Sequence, residues 1–67
     1  MISIVVNEKQ MHIEEKTTVL QLLEKVKSSK KGIALAINNE VILKDVWDTH
    51  LISNNDTVLI IQASQGG

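Results

Sequence analysis

Hydrophobic and polar positions alternate over the first fifteen residues of the chain. Residues 1–6 carry an isoleucine or a valine at every even position, and residues 10–15 alternate apolar with polar side chains. A side-chain period of two is typical of strands that bury one face. Because the polar segment 7–9 separates the two stretches, the pattern predicts a β-hairpin.

A helical pattern follows the hairpin. Thr18 is suited to be an N-cap, and Gln21, three residues later, completes a capping box. Between residues 19 and 26 the apolar side chains recur at the spacing of a helix with one apolar face. The pattern predicts a helix that ends near residue 28 or 29, with the flexible Gly32 just beyond it.

The second half of the chain predicts three more strands, at residues 33–37, 41–43 and 57–61. Alanines alternate with larger residues in the first of these strands, so a partner could approach that face closely. Before the last strand, Asp45 is placed to cap a brief helical turn through Trp47. The last strand is apolar on both parities, which is typical of a strand inside a sheet.

The predicted order of elements is β-β-α-β-β-(short helix)-β, which is the layout of an α+β, ubiquitin-like β-grasp domain. We expect a mixed sheet of four to five strands with one main helix packed across one face. Apolar residues on the uncovered face would form a surface for a partner. A chain of 67 residues has room for one domain only, so we predict a single domain over residues 1–67 with a flexible tail at 63–67.

Composition and spacing argue against an enzyme. The chain has no cysteine, which removes thiol nucleophiles and thiolate metal sites. His12 and His50 have no further ligand at metal-site spacing, so we predict no metal site. Asp45 and Asp48 fall in a predicted turn and are interpreted as surface carboxylates, and Trp47 as a core residue. No catalytic residue and no bound cofactor are therefore predicted.

The charge balance also limits the partners. A net charge of −1, with seven lysines and eight acidic residues, argues against nucleic-acid binding. Lysines at positions 25, 27, 30 and 31 are interpreted as the end of the helix and the following loop, with a docking surface for an acidic partner as the alternative. The longest apolar runs have four or five residues, too few for a membrane span, and no signal peptide is recognised. We predict a cytoplasmic protein.

The last residues, Gly66 and Gly67, are the remaining feature with chemical potential. Glycines lack Cβ atoms, so they can enter a narrow channel and present the terminal carboxylate to a partner enzyme. The five residues after Gln62 would extend by about 17 Å. A partner could activate the carboxylate with ATP and pass it to a sulfur or nitrogen nucleophile. A frayed chain end is the simpler interpretation of the same residues.

Several short motifs resemble the ThiS family, the sulfur carriers of thiamine biosynthesis. They are residues 34–38, Trp47, Asn55-Asp56 before the last strand, Gln62 and the terminal Gly66-Gly67. The resemblance extends over essentially the whole chain. Many family members have a proline and an arginine where this chain has Leu43 and Lys44, and apolar residues where it has Ser64 and Gln65.

The resemblance implies a carrier that partner enzymes act upon. A ubiquitin-activating-like (ThiF-type) adenylyltransferase, using ATP and Mg²⁺, would adenylate Gly67. A sulfur donor system would convert the adenylate to a thiocarboxylate, and a ThiG-type thiazole synthase would accept the sulfur. Gly66, Gln65 and Ser64 would thread into the partner's active site.

Three alternatives remain open from the sequence. The chain could be a sulfur carrier of another pathway, such as the small subunit of molybdopterin synthase. It could be a ubiquitin-like modifier joined to lysines of other proteins, or a binding module in which the terminal glycines have no role. Growth complementation, stable conjugates and deletion of Gly67 would distinguish them.

Overall fold

The computed structural model describes residues 1–26 and 32–62, and within them the chain forms one sheet and one α-helix. The elements in chain order are β1 (Ile2–Val6), β2 (Lys9–Ile13), α1 (Val19–Lys25), β3 (Ile33–Ile37), β4 (Glu40–Val41), a 3₁₀ turn (Lys44–Val46) and β5 (Thr57–Gln62). The predicted order is confirmed, and most boundaries agree within one or two residues. The predicted helix end at residue 28 or 29 lies outside the described residues.

The five strands form a mixed sheet in the order β2-β1-β5-β3-β4. The last strand of the chain, β5, occupies the centre, parallel to β1 and antiparallel to β3. The other two neighbouring pairs are antiparallel hairpins. The prediction that the final strand lies inside the sheet is therefore confirmed.

Two-residue turns close both hairpins. Asn7 and Glu8 connect β1 to β2 with φ of 49° and 71°, and Asn38 and Asn39 connect β3 to β4 with φ of 53° and 70°. Positive φ at both central positions is the geometry that matches the twist of the flanking strands, and asparagine adopts it at low cost. These turns fix the register of each hairpin.

The capping box at the start of α1 is confirmed. The Thr18 hydroxyl accepts a hydrogen bond from the backbone N–H of Gln21 at 3.1 Å, and the Gln21 side chain accepts one from the Thr18 N–H at 2.9 Å. A further first-turn donor, the N–H of Val19, reaches the carbonyl of His50 at 3.0 Å. The segment after the 3₁₀ turn thus satisfies donors that the helix itself leaves without partners.

The core lies between α1 and one face of the sheet, here called the inner face. Among the described residues, the buried apolar cluster consists of Ile4, Val6, Ile13, Val19, Leu22, Leu23, Leu35, Ile37, Ile42, Trp47, Ile52 and Val58. The apolar positions predicted for the helix are buried in it at Val19, Leu22 and Leu23. Aliphatic side chains and a single tryptophan fill the core.

The predicted strand at 41–43 is wrong in its bounds, since β4 covers only Glu40–Val41. Beyond it the chain turns inward and Ile42 is buried. The carbonyl of Ile42 accepts a hydrogen bond from Trp47 Nε1 at 2.9 Å, and its N–H donates to the carbonyl of Leu35 at 2.8 Å. The backbone carbonyl of Ile42 therefore holds the Trp47 side chain directly after β4 has ended.

The predicted helix cap at Asp45 is also wrong. The 3₁₀ turn spans Lys44–Val46, so Asp45 lies inside it, and the N-cap position belongs to Leu43. No side chain makes a capping hydrogen bond there. An acidic residue in a first turn still interacts favourably with the free N–H groups of that turn, which accounts for Asp45 without a cap role.

Candidate partner-docking surface and tail

The predicted attachment residue Gly67 and the predicted threading residues Gly66, Gln65 and Ser64 lie outside the described residues. Their roles therefore stay predictions. The described chain ends at Gln62, which is also the last residue of β5. The position of β5 in the sheet consequently determines where the predicted tail leaves the domain.

The two faces of β5 differ sharply in exposure. Val58 points to the inner face and is 1% exposed, whereas its neighbour Leu59 is 47% exposed and Ile61 is 50% exposed. Successive strand residues point to opposite sides of a sheet, so Leu59 and Ile61 lie on the face away from α1, here called the open face. Two large aliphatic side chains thus reach solvent within a few residues of the predicted tail.

Small residues surround these two side chains on the neighbouring strand. Ala36 pairs with Leu59 and Ala34 pairs with Ile61 across β3 and β5, and Val41 of β4 pairs with Ala36. Val41 is 65% exposed. We call these five residues the open-face patch. The predicted exposure of apolar residues on the uncovered face is confirmed at Val41, Leu59 and Ile61, and Ala36, only 9% exposed, lies between Val41 and Leu59.

The other half of the open face, formed by β1 and β2, is more polar. Ser3 pairs with His12 and Val5 pairs with Gln10, and Gln10 Nε2 donates a hydrogen bond to Ser3 Oγ at 2.9 Å. The residues that β1, β3 and β5 direct to this face carry no formal charge. A protein that docks on the patch would gain mainly from burying apolar surface, rather than from ion pairs.

Asn7 holds β5 close to its end. Its Oδ1 accepts a hydrogen bond from the N–H of Ile60 at 2.7 Å, and its Nδ2 donates to the carbonyl of Ile60 at 3.3 Å. A groove of about 290 Å³ lies beside this contact, lined by Val6, Asn7, Val26, Ile60 and Gln62. From the sequence, Asn7 is recognisable only as part of a polar turn, because its hydrogen-bond partner Ile60 lies 53 positions further along the chain.

Asn38 holds β5 in a similar way where the strand begins. Its N–H donates to the carbonyl of Thr57 at 2.8 Å, and its Oδ1 accepts from the N–H of Thr57 at 3.0 Å. Its Nδ2 also donates to Asp56 Oδ1 at 3.0 Å. The first residue of each hairpin turn, an asparagine in both cases, is therefore bonded to the central strand, one near each end.

The residues considered for enzyme chemistry are Trp47, two aspartates and two histidines, and each is placed by the structure. Trp47 is 3% exposed, so its predicted place in the core is confirmed. Asp45 and Asp48 are exposed at a shallow groove beside Trp47, while His12 lies on β2 and His50 precedes the bridge to Thr18. Within residues 1–26 and 32–62, no three histidine, aspartate or glutamate side chains are grouped as metal ligands, and no helix is long and apolar enough to cross a bilayer.

Known proteins share this arrangement. The chain is similar to the sulfur carrier protein ThiS of Escherichia coli (strain K12), with 33% identity over 64 residues that cover 96% of this chain and 97% of the relative. A crystal structure of the thiamine biosynthesis protein ThiS from Geobacter metallireducens matches with a TM-score of 0.85 at 23% identity, over 98% of this chain and all of that chain. An NMR structure of a thiamine biosynthesis protein from the same organism matches with a TM-score of 0.77 at 23% identity, over 98% of this chain and 88% of that chain.

A central last strand, one helix across the inner face and this structural match define a ubiquitin-like β-grasp protein. The family model described as the ThiS family matches residues 3–67. The chain therefore belongs to the ThiS family, as the sequence motifs indicated.

Proposed function

We propose that the chain is a sulfur carrier for the thiazole of thiamine, a protein that partner enzymes modify rather than an enzyme itself. The match to the ThiS family over residues 3–67 carries this proposal. The E. coli relative that bears the name of sulfur carrier supports it, because the similarity extends over 97% of that relative. The whole of residues 1–67 acts as one domain, with 63–67 as its tail.

In the proposed chemistry the only reacting group of this chain is the carboxylate of Gly67. A ThiF-type enzyme binds ATP and Mg²⁺, the carboxylate attacks the α-phosphorus of ATP, and pyrophosphate leaves. A sulfur nucleophile from a donor system, at the oxidation level of sulfide, then attacks the acyl carbon and displaces AMP, which leaves a thiocarboxylate. A ThiG-type thiazole synthase accepts that sulfur. The chain needs no cysteine for this role, because the sulfur is held on its terminus.

The open-face patch is the docking surface in this proposal. Leu59 and Ile61 lie on the same strand as Gln62, so a partner seated on the patch is close to the root of the tail. Five residues beyond Gln62 extend by about 17 Å, within reach of an active site beside such an interface. Aliphatic side chains around small alanines also suit the well-packed, apolar centre of a protein interface.

The proposal is tested by supplying the chain with a ThiF-type enzyme, ATP and Mg²⁺, and then a sulfur donor. We expect adenylation at Gly67, followed by a C-terminal peptide in which sulfur replaces one oxygen. Because oxidation of Met1 or Met11 adds almost the same mass, the change must be mapped to the terminal peptide. Absence of adenylation would overturn the proposal, and stable conjugates to lysines of other proteins would instead indicate a modifier.

The role of Gly66 gives a sharper test of the tail. The variant Gly66→Val should not be adenylated, because a β-branched side chain next to the reacting residue would collide with the walls of a narrow channel. Gly66→Ala is the matched control and should retain part of the activity. Both variants should unfold at the temperature of the parent protein. Normal adenylation of Gly66→Val would contradict the narrow-channel interpretation.

A further inference from the structure

On the side that faces β1, the last residues of β5 extend beyond the strand that they pair with. The parallel ladder between β1 and β5 includes the N–H of Val5 bonded to the carbonyl of Asp56, and the N–H of Asn7 bonded to the carbonyl of Val58, each at 3.0 Å. At Asn7 the chain enters the hairpin turn with φ of 49° and leaves the strand direction. The next residue of β5 on that side, Ile60, therefore lies beyond the backbone of β1.

The side chain of Asn7 supplies the missing partner. A primary amide carries one carbonyl acceptor and an N–H donor, the same pair of groups that a peptide unit presents to a neighbouring strand. In Asn7 the two groups bond the N–H and the carbonyl of Ile60, at 2.7 and 3.3 Å. The side chain extends the sheet by one step after the backbone has turned away.

This contact lies two residues before the end of β5 at Gln62. On its other side β5 pairs with β3 as far as Gln62, which is opposite Ile33. The end of β5 is therefore held from both sides, by strand pairing on one and by a single side chain on the other. Loss of that side chain would let the root of the tail swing away from the β1 side of the sheet.

We propose that Asn7 is a positioning residue, which fixes the direction in which the tail leaves the domain and so places the carboxylate of Gly67 in the activating enzyme. The inference rests on the proposed function. In this role Asn7 acts through the backbone of Ile60 rather than on the reacting groups, and it is not part of the open-face patch. Its loss should therefore lower the rate of adenylation in the bound complex and leave the affinity for the enzyme almost unchanged.

The variant Asn7→Gly removes the amide and retains a residue that accepts positive φ, so the turn itself is not strained. Asn38→Gly is the matched control, since it removes a side-chain bond to the start of β5, together with a bond to Asp56, and shares the same backbone geometry. Asn7→Asp keeps the acceptor for the Ile60 N–H but, when ionised, has no donor for the Ile60 carbonyl. The three variants separate loss of the contact from general loosening of a hairpin.

Amide exchange tests the contact without any partner. In Asn7→Gly the N–H of Ile60 should exchange about tenfold faster, as expected for the loss of one hydrogen bond, with Thr57 unchanged. Asn38→Gly should show the reverse pattern. Unchanged exchange at Ile60 in Asn7→Gly would overturn the inference, whatever the activity of the variant.

Adenylation kinetics test the consequence for the tail. We expect kcat for Asn7→Gly to fall about tenfold with KM within about twofold of the parent, since misplacing a reacting group lowers the rate in the complex. The kcat of Asn7→Asp should lie between those of Asn7→Gly and the parent, and Asn38→Gly should retain the parent kcat. Equal kcat for Asn7→Gly and the parent, or an equal loss in Asn38→Gly, would overturn the positioning role while the carrier function stands. If the parent itself is not adenylated, the carrier function fails and this role fails with it.

Discussion

Leu35 and Leu59 lie on neighbouring strands at the centre of the sheet, but they face opposite sides of it. Leu35 points toward α1 and is 1% exposed, whereas Leu59 is 47% exposed on the open face. Two leucines on directly paired strands thus lie in different environments, one buried and one half-exposed. The inner face holds the fold together, and the open face presents similar aliphatic chemistry to whatever approaches from solvent.

The difference explains why β5 is apolar on both parities. A strand with both faces covered would bury all of its side chains, but the one α-helix in the described part of the chain covers only one face. A domain of this size can bury a limited share of its surface. Aliphatic residues on an uncovered face bury less surface in the isolated domain than those on the inner face. A cluster of them is typical of surfaces that bind another protein.

The largest predicted effect concerns the inner face. Leu35→Ala should lower the free energy of unfolding by about 2–5 kcal/mol, because it removes buried methyl groups and leaves a cavity. Urea unfolding measures the change, with Leu59→Ala as the matched control. The control should differ from the parent by less than about 0.5 kcal/mol, as expected for surface substitutions. Equal losses in the two variants would show that both faces contribute alike to stability.

The open face should show the opposite behaviour. Leu59→Ser should raise KM for adenylation by about tenfold, which corresponds to ~1.4 kcal/mol of binding free energy. Its stability should remain close to that of the parent. Thr57→Ser, on the same strand and face, is a control outside the patch and should leave KM unchanged. A parent-like KM for Leu59→Ser would place the docking surface elsewhere.

The sequence predicted the fold well because its signals were local. Alternation in β1 and β2, and the capping box of Thr18 and Gln21, depend on residues a few positions apart. The central place of β5 also followed from its own apolar pattern. The end of β4 was missed for another reason, because the bond from Trp47 Nε1 to the carbonyl of Ile42 joins a side chain to the backbone and leaves no trace in the alternation of apolar residues.

The candidate site was predictable only in part. Terminal glycines and an apolar uncovered face can be recognised from composition and strand parity. The residues that make up the patch depend on which positions of β3, β4 and β5 lie opposite one another, and the register supplies that. The role of Asn7 depends on a contact with Ile60, 53 positions away, which a turn motif does not reveal.

A smaller effect is predicted at the helix cap, where a substitution should lower stability without weakening docking. Thr18 lies at the start of α1, and its hydroxyl bonds the N–H of Gln21. Thr18→Ala should cost about 1 kcal/mol of stability, which lowers the melting temperature by about 4–8 °C in a domain of this size. KM for adenylation should not change, since α1 lies on the inner face. A raised KM for Thr18→Ala would instead indicate that the docking surface includes α1.

The smallest predicted effect is the response of docking to salt. The outward residues of the patch carry no charge, so KM for adenylation should change by less than about twofold between about 0.05 and 0.5 M salt, where charge interactions are increasingly screened. The alternative that the sequence left open is docking of an acidic partner on Lys25, at the end of α1, together with the lysines at 27, 30 and 31, which lie outside the described residues. Docking through them would make KM rise steeply with salt, because steering by opposite charges weakens as ions are added. Substituting Lys25 by glutamine should then raise KM at low salt toward its high-salt value. Docking through the patch predicts no effect of that substitution.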